Sequence, residues 1–467
     1  MQVATRRSWF VRHGVSCGMG LVGLAILASA CAAARAADQA QPAASGPARW
    51  TPTDPPNQPI GQAKGVFPGR VVWIHDPNAA KWDGDKASGG WFEDRFTDPA
   101  LAEQMLSKSL RLLTGAKTDP EAWAALFRHF NRTHGRGDAG YRPGEKIAVK
   151  LNLNCSTTRR ADPTQGPYNT PQVTRALLRQ LVKQASVREA DLVVYDASRF
   201  ANDSVFNPCH AEFPGIRFED QDGGQGRFKI QPDKSVAIHF GDPKTPDSGK
   251  TYLPACVTGA TYLINGAVMK GHSLAAVTLC AKNHFGSVYR EIPGPQAPYH
   301  GWSPSNMHDS ITVANRAMGT YNAIVDLMGH KDLGGKTVLY LIDGLYAAPH
   351  QSVLPEKWQS PPFNGHWTAS LFCSQDPVAL ESVVVDFFAA EKTAKLMVGA
   401  VDNYLHEAAL AHQPPSGVGY DPEGDGTPLE SLGVHEHWNG PEKRQYSRNL
   451  GVGQGIELVT GDSGGTP

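Results

Sequence analysis

Apolar positions along the chain fall into short runs that alternate with stretches of helical spacing. Val71, Val72, Trp73 and Ile74 make a short run closed by Asp76-Pro77. Residues 98–132 carry helical spacing, with Ala102, Leu106, Leu110 and Leu113 on one face and Trp123, Leu126 and Phe127 marking a second helix. "KIAVKLNLN" (Lys146–Asn154) alternates as a strand. "TPQVTRALLRQLVKQA" then opens a helix with Thr170 as cap and Pro171 at its first position. "DLVVYDAS" (Asp191–Ser198) is the next strand, so these three form a βαβ unit. Further apolar runs lie at Thr261–Val268 and Thr337–Gly344, and a late helix starts at Asp376-Pro377 and reaches Glu391. This order predicts an α/β fold, with an open, mostly parallel sheet, helices on both faces and long loop insertions at 199–260 and 285–335. Leu274–Ala281 reads as a buried helix, bracketed by Lys270 and His272 on one side and Lys282, Asn283 and His284 on the other.

Open α/β sheets bind ligands beyond the carboxyl ends of their strands. Those ends carry Lys150, Asn152 and Asn154, then Asp196, then Lys270 and His272, then Asp343. Lysines beside asparagine amides suit an anion or a developing oxyanion, and a desolvated lysine can act as a base. Lys150 and Lys282 are the candidates; the structural alternative pairs them with Asp196, Asp343 or Asp376. His272 is a candidate acid–base or metal ligand, against a histidine that only fixes a turn. Asp343 is the carboxylate candidate, whereas Asp376 reads as a helix cap.

Composition narrows the class. Apolar content is 40% and charged content 19%, within the globular range. With a net charge of −1 and no basic block, nothing points to nucleic acid. Arg6 and Arg7 precede an apolar run, Gly14–Ala34, and "ARA" at Ala34–Ala36 offers a cleavage site. The paired arginines fit a twin-arginine signal over residues 1–36, and an ordinary secretory signal has the same layout. Cys31 in "LASAC" leaves a lipoprotein open, and the apolar run leaves an uncleaved anchor open. Removal of residues 1–36 takes away four arginines and no acid, moving the charge from −1 to −5. The expectation is a periplasmic or secreted protein that meets the twin-arginine machinery and has no stable membrane association after cleavage. Residues 37–64 read as a linker, 65–460 as one α/β domain and 461–467 as a flexible tail. Five cysteines lie beyond the signal, with no C-x-x-C among them, which gives no support to an iron–sulfur or zinc-ribbon reading. Cys209 with Cys256 is the first disulfide to test.

Several segments together resemble a known family. "VKLNLN", "NTPQVTRALLRQLV", "VMKGHSLAAVTLCAKNHFG", "LYLIDGL" and "CSQDPVALESVVVDF" occur in the order seen in domain of unknown function 362. The resemblance covers roughly residues 146–390 (the core of the domain) and is most specific at Lys270, His272, Thr278, Lys282, Asn283 and Gly286. "LGVHEHWNG" is similar to the tail of an exported subset. The resemblance implies a site pattern and no reaction. Other members carry ferredoxin-like cysteine motifs that this chain lacks, so electron transfer is not implied.

Weaker patterns complete the picture. Cys280 and His284 are four apart, a spacing that lets two helical side chains share a metal. "HEH" sets His435 and His437 on one side of an extended segment, as a lid or metal clip. Trp82, Trp91, Tyr299, Trp302, Trp358, Trp367 and Trp438 sit in Gly/Pro-rich loops, where they can stack on sugars or peg loops to the body. No G-x-S-x-G, Rossmann fingerprint or phosphate loop is present.

The expected function is an exported enzyme that hydrolyses, or cleaves by elimination, a carbohydrate-like or anionic polyhydroxylated small molecule or glycan. Lys150, His272, Lys282 and Asp343 would be catalytic, and Asn152, Asp196, Lys270, Asn283, Trp302 and Trp438 substrate-binding. The alternatives are a redox protein dependent on a divalent or transition metal or other cofactor, with His272, His284, His435 and His437 as ligands, and a solute-binding protein without turnover.

Overall fold

A computed structural model of the chain describes residues 50–462, except 246, 291–300, 303–304, 395 and 397–398. The expected signal segment, residues 37–49 of the expected linker and the last five residues lie outside the described residues, as does Tyr299.

The chain begins with β1 (Ile60–Gly61) and β2 (Arg70–His75), followed by α1 (Pro99–Thr114) and α2 (Asp119–Thr133). The βαβ unit follows as β3 (Ile147–Leu151), α3 (Pro171–Arg179) and β4 (Leu192–Asp196). Next come α4 (Asp203–Glu212), β5 (Arg217–Asp220), β6 (Phe228–Lys229), β7 (Pro232–Ile238), β8 (Thr251–Pro254) and the single turn α5 (Ala255–Thr258). The central part holds β9 (Tyr262–His272), β10 (Ala276–Thr278), α6 (Cys280–Asn283) and β11 (Tyr289–Arg290). The chain ends with α7 (Ala323–Gly329), β12 (Thr337–Ala348), β13 (Ser370–Ser374), α8 (Pro377–Ala390), α9 (Asn403–Ala409), β14 (Val434–His435) and β15 (Glu457–Gly461).

The main sheet has ten strands in the order β15-β2-β13-β12-β9-β3-β4-β5-β6, with β10 beside the end of β9. Every pairing is parallel except those of β13 with its two neighbours and of β10 with β9. Side chains alternate between two cores. Val72, Ile74, Ile147 and Val149 enter the core covered by α1–α4. Val71, Trp73, Ala148 and Leu263 enter the one covered by α7–α9. The predicted caps form: Thr170 Oγ1 accepts the Val173 N–H at 3.3 Å, and Asp376 Oδ1 accepts that of Ala379 at 2.9 Å. No helix among the described residues is long and apolar enough to cross a membrane.

The structure corrects five expectations. Leu274–Thr278 is not helical: β9 outruns β3, whose last pair is Leu151 with Gly266, and β10 folds back to pair Thr278 with Lys270 and Ala276 with His272. A short apolar run satisfies a buried strand as well as a helix, and here the backbone groups at the end of β9 need partners. Asp343 lies inside β12, which runs on to Ala348. Residues 50–64 are no linker, because β1 pairs with β14. The tail begins later than expected, with Gly461 paired to Ile74. Cys209 and Cys256 are free thiols, because Cys209 lies in one core and Cys256 packs against the other across the sheet.

Candidate functional site

The site lies over the carboxyl ends of β3, β4 and β9. Lys150 projects to the same face as Ala148 and is buried. Its Nζ donates to Asn283 Oδ1 (3.1 Å) and to the Leu151 carbonyl, and sits 3.2 Å from Asp196 Oδ2. Asp196 also accepts the Leu153 N–H (2.9 Å) and the Ser198 N–H (3.0 Å). Gly286 closes over this pair: a Cβ there would sit 2.7 Å from Lys150 Nζ and 2.8 Å from Asp196 Oδ1, so only glycine fits. Asn283 donates its amide to Asn265 Oδ1 (2.8 Å) and the Gly266 carbonyl (3.0 Å). Burial lowers the Lys150 pKa, with Asp196 pulling it back up. The structural pairing foreseen for this lysine is therefore the one formed.

Lys270 and Lys282 are different. Lys270 is fully buried, and its Nζ donates to the Pro167 carbonyl at 3.0 Å. Lys282 Nζ lies 3.5 Å from His308 Nε2 and 3.7 Å from the centre of the Phe285 ring. Burial pushes the Lys282 pKa well below the ordinary lysine value, and the positive charges of Arg199 and Lys270 push it further. Lys270 is lowered by burial too, with Cys155 and Asp196 opposing the push from Arg199 and Lys150. The three lysines are thus buried within electrostatic reach of Arg199, and Asp196 is the carboxylate that acts on Lys150 and Lys270. The half-buried His272, His308, His350 and Gln351 lie around it.

His272 shares the surroundings of Lys282. Its ring stacks on His308 at 6.1 Å, and burial followed by Lys282 drives its pKa well down. Its Nδ1 accepts the N–H groups of Leu274 (3.0 Å) and Ala275 (3.2 Å). The ring is therefore neutral and protonated on Nε2, a donor rather than a base, and it fixes the hairpin turn. Gln351 binds the same turn through Ser273 N (2.8 Å) and Ser273 Oγ (2.8 Å).

The remaining candidates scatter. Asn152 is clamped to Asn169, its N–H donating to the Asn169 side chain at 2.6 Å. Asp343 accepts from Thr170 N (2.7 Å), Thr170 Oγ1 (2.8 Å) and Leu345 N (3.2 Å), which fixes the start of α3 and commits it to structure. Burial raises its pKa to about 6. His284 Nε2 meets the Asn265 amide (3.1 Å), while the Cys280 thiol faces the Asn265 and Leu341 carbonyls, so the two side chains turn to different partners. Neither His272 nor His284 belongs to a metal-sized ligand group among the described residues. Trp302 (2% exposed) packs edge-on to Tyr289 and Trp438 (8%) to Phe387. Trp82, Trp91, Trp358 and Trp367 are buried as well, so these loop tryptophans peg loops and offer no stacking face. A cleft of about 490 Å³ beside Lys64, His129, Thr337 and Gln375 opens at the start of β12, at the other end of the strands from the lysines.

Reasoning from sequence missed Arg199, His308 and His350. Arg199 follows the end of β4 by three residues and is anchored by Asn154 O (2.5 Å) and Oδ1 (2.6 Å), so the strand-end rule extended by one turn finds it. His308 and His350 lie in irregular sequence with no periodic signal.

Fold and site together define an open α/β protein with a buried cluster of lysines at its strand ends. The chain belongs to the family described as domain of unknown function DUF362, whose model matches residues 147–386. No curated protein and no solved structure was found to match it.

Proposed function

We propose that the strand-end site binds an anionic, oxygen-rich small molecule, of the acidic-sugar type, and cleaves it by elimination or hydrolysis. The carrying observation is the charge balance: Lys150, Lys270 and Lys282 are buried within reach of Arg199, Asp196 acts on the first two, and among the described residues no carboxylate acts on Lys282. Burial without a counter-ion favours the neutral amine of Lys282, and a bound carboxylate would offset the positive charge of Lys270 and Arg199 beside it. Lys282, held toward its neutral amine, would take the proton from the carbon next to that carboxylate. Lys270 and Arg199 would neutralise the enolate-like charge that develops. The bond to the leaving oxygen then breaks, and His272 Nε2–H or His308 returns a proton to it. We read the protein as exported, with residues 1–36 as its signal, on the strength of Arg6, Arg7 and the apolar run that follows.

The test is calorimetric titration of protein matured through its native export route with galacturonate, inorganic phosphate and neutral galactose. The mature chain should begin at Ala37 by mass spectrometry. The acidic ligands should bind and galactose should not. Lys270→Met should weaken binding at least about tenfold. Lys282→Met should keep binding yet lower turnover of an oligouronide by about 10²–10⁴-fold. Equal binding of galactose, or unchanged affinity in Lys270→Met, rejects the reading.

A further inference from the structure

Three imidazoles and two carboxylates gather away from the lysines, outside the family-matched residues. Asp402 immediately precedes α9, which carries His406. His435 ends β14, and His437 lies two residues on, so both rings leave the extended segment on one side. Asp54 comes from the segment just before β1, whose Ile60 pairs with His435. His406 Nε2 is 2.8 Å from Asp54 Oδ2 and 3.9 Å from Asp402 Oδ2, which lies 3.2 Å from His437 Nε2. The ring centres of His406 and His437 are each 4.7 Å from that of His435. The ligand atoms of Asp54, His406 and His435 lie within 4.8 Å of one another, as do those of Asp402, His435 and His437.

The surrounding hydrogen bonds fix where the protons are. Ser382 donates its hydroxyl to the Val378 carbonyl (2.7 Å), so toward His435 Nδ1, at 2.8 Å, it can only accept. His435 therefore carries its proton on Nδ1 and presents a bare Nε2 lone pair. That atom is buried and has no hydrogen-bond partner among the described residues. It stands beside the pairs His406 Nε2–Asp54 and His437 Nε2–Asp402, in which each imidazole nitrogen faces a carboxylate, and a metal ion replacing the protons on those two nitrogens would take the His435 lone pair as well. His437 Nδ1 donates to Asp386 Oδ1 at 2.6 Å, and Asp386 is held by Trp438 N (3.0 Å) and the Tyr446 hydroxyl (2.9 Å). A carboxylate behind one imidazole and a hydroxyl behind another is the outer shell that orients metal-bound histidines.

We propose that Asp54, Asp402, His406, His435 and His437 form a binding site for one divalent first-row transition ion. Three imidazoles disfavour magnesium and calcium, which take oxygen ligands, and no thiol belongs to the group. The mixed nitrogen and carboxylate set suits zinc, manganese or iron(II). Asp54, with 42% of its side chain exposed, is the open side of the site.

Plasma mass spectrometry on the protein as purified from its own host, after extensive dialysis, supplies the test. One such metal per chain is expected. It should be lost in His435→Ala, and affinity in a competitive dye titration should fall about 10–100-fold in Asp386→Asn. Asp54→Asn, at an exposed position, covers the case in which His435→Ala does not fold, and should weaken zinc binding in the same titration. Protein that holds no stoichiometric metal, and whose melting temperature is unmoved by zinc, manganese or iron(II), overturns the proposal. So does a metal that survives both His435→Ala and Asp54→Asn.

Discussion

Glu381 shows what burial does to a single carboxyl group here. It accepts from the Tyr404 hydroxyl and the Ala281 N–H, yet burial still raises its pKa to about 7. An unfolded glutamate titrates near 4.3. Between those values the folded protein keeps a proton that the unfolded chain has lost, so this group's contribution to stability falls as pH rises through about 4.3 to 7. Glu381→Gln has no proton to lose. Relative to the wild type it should gain up to about 3 kcal/mol in urea-unfolding free energy between pH 4.5 and 7.5. Parallel pH profiles would show that the carboxyl group is not desolvated. At this scale the strand-end rule found Lys150, Asp196 and Lys270, because a strand's last side chains are fixed by register. It could not tell the committed Asp343 from a free one, since the Thr170 N–H that occupies it comes from a different element.

The β9–β10 hairpin carries the lesson at the scale of elements. Caps and βαβ order were legible because they are local: Thr170-Pro171 and Asp376-Pro377 state their role in two residues. The hairpin was not, because its cause is the missing partner beside β9 once β3 has ended. His272 serves both levels, closing the turn with Nδ1 while its ring stacks on His308. His272→Ala leaves the Leu274 and Ala275 N–H groups without their acceptor and should cost about 1–3 kcal/mol. His272→Asn, whose Oδ1 can reach the same donors, should recover most of that loss in thermal melts. If the two variants melt alike, the acceptor is not what holds the turn.

The whole molecule is larger than its family-matched part. Residues 147–386 contain β12 and β13 but neither β2, which flanks β13, nor β15 beyond it. Cutting the chain to that span bares the β13 edge and the apolar face under α1 and α2. An open edge of this kind pairs with other chains. The fragment should therefore elute as aggregate on gel filtration while residues 50–462 run as a discrete species. A soluble, cooperatively melting fragment would show that the flanks are dispensable.

The seat of β2 also has a cost in time. Ile74 pairs with Leu371, nearly three hundred residues later in the chain. At about 5–20 residues per second of synthesis, the run Val71–Ile74 waits roughly 15–60 s beyond the ribosome before its partner strand exists. Throughout that interval an apolar, β-prone segment is without its partner strand, open to any chaperone that binds such runs. The seam between β2 and β13 can close only after Ser370–Ser374 has been made.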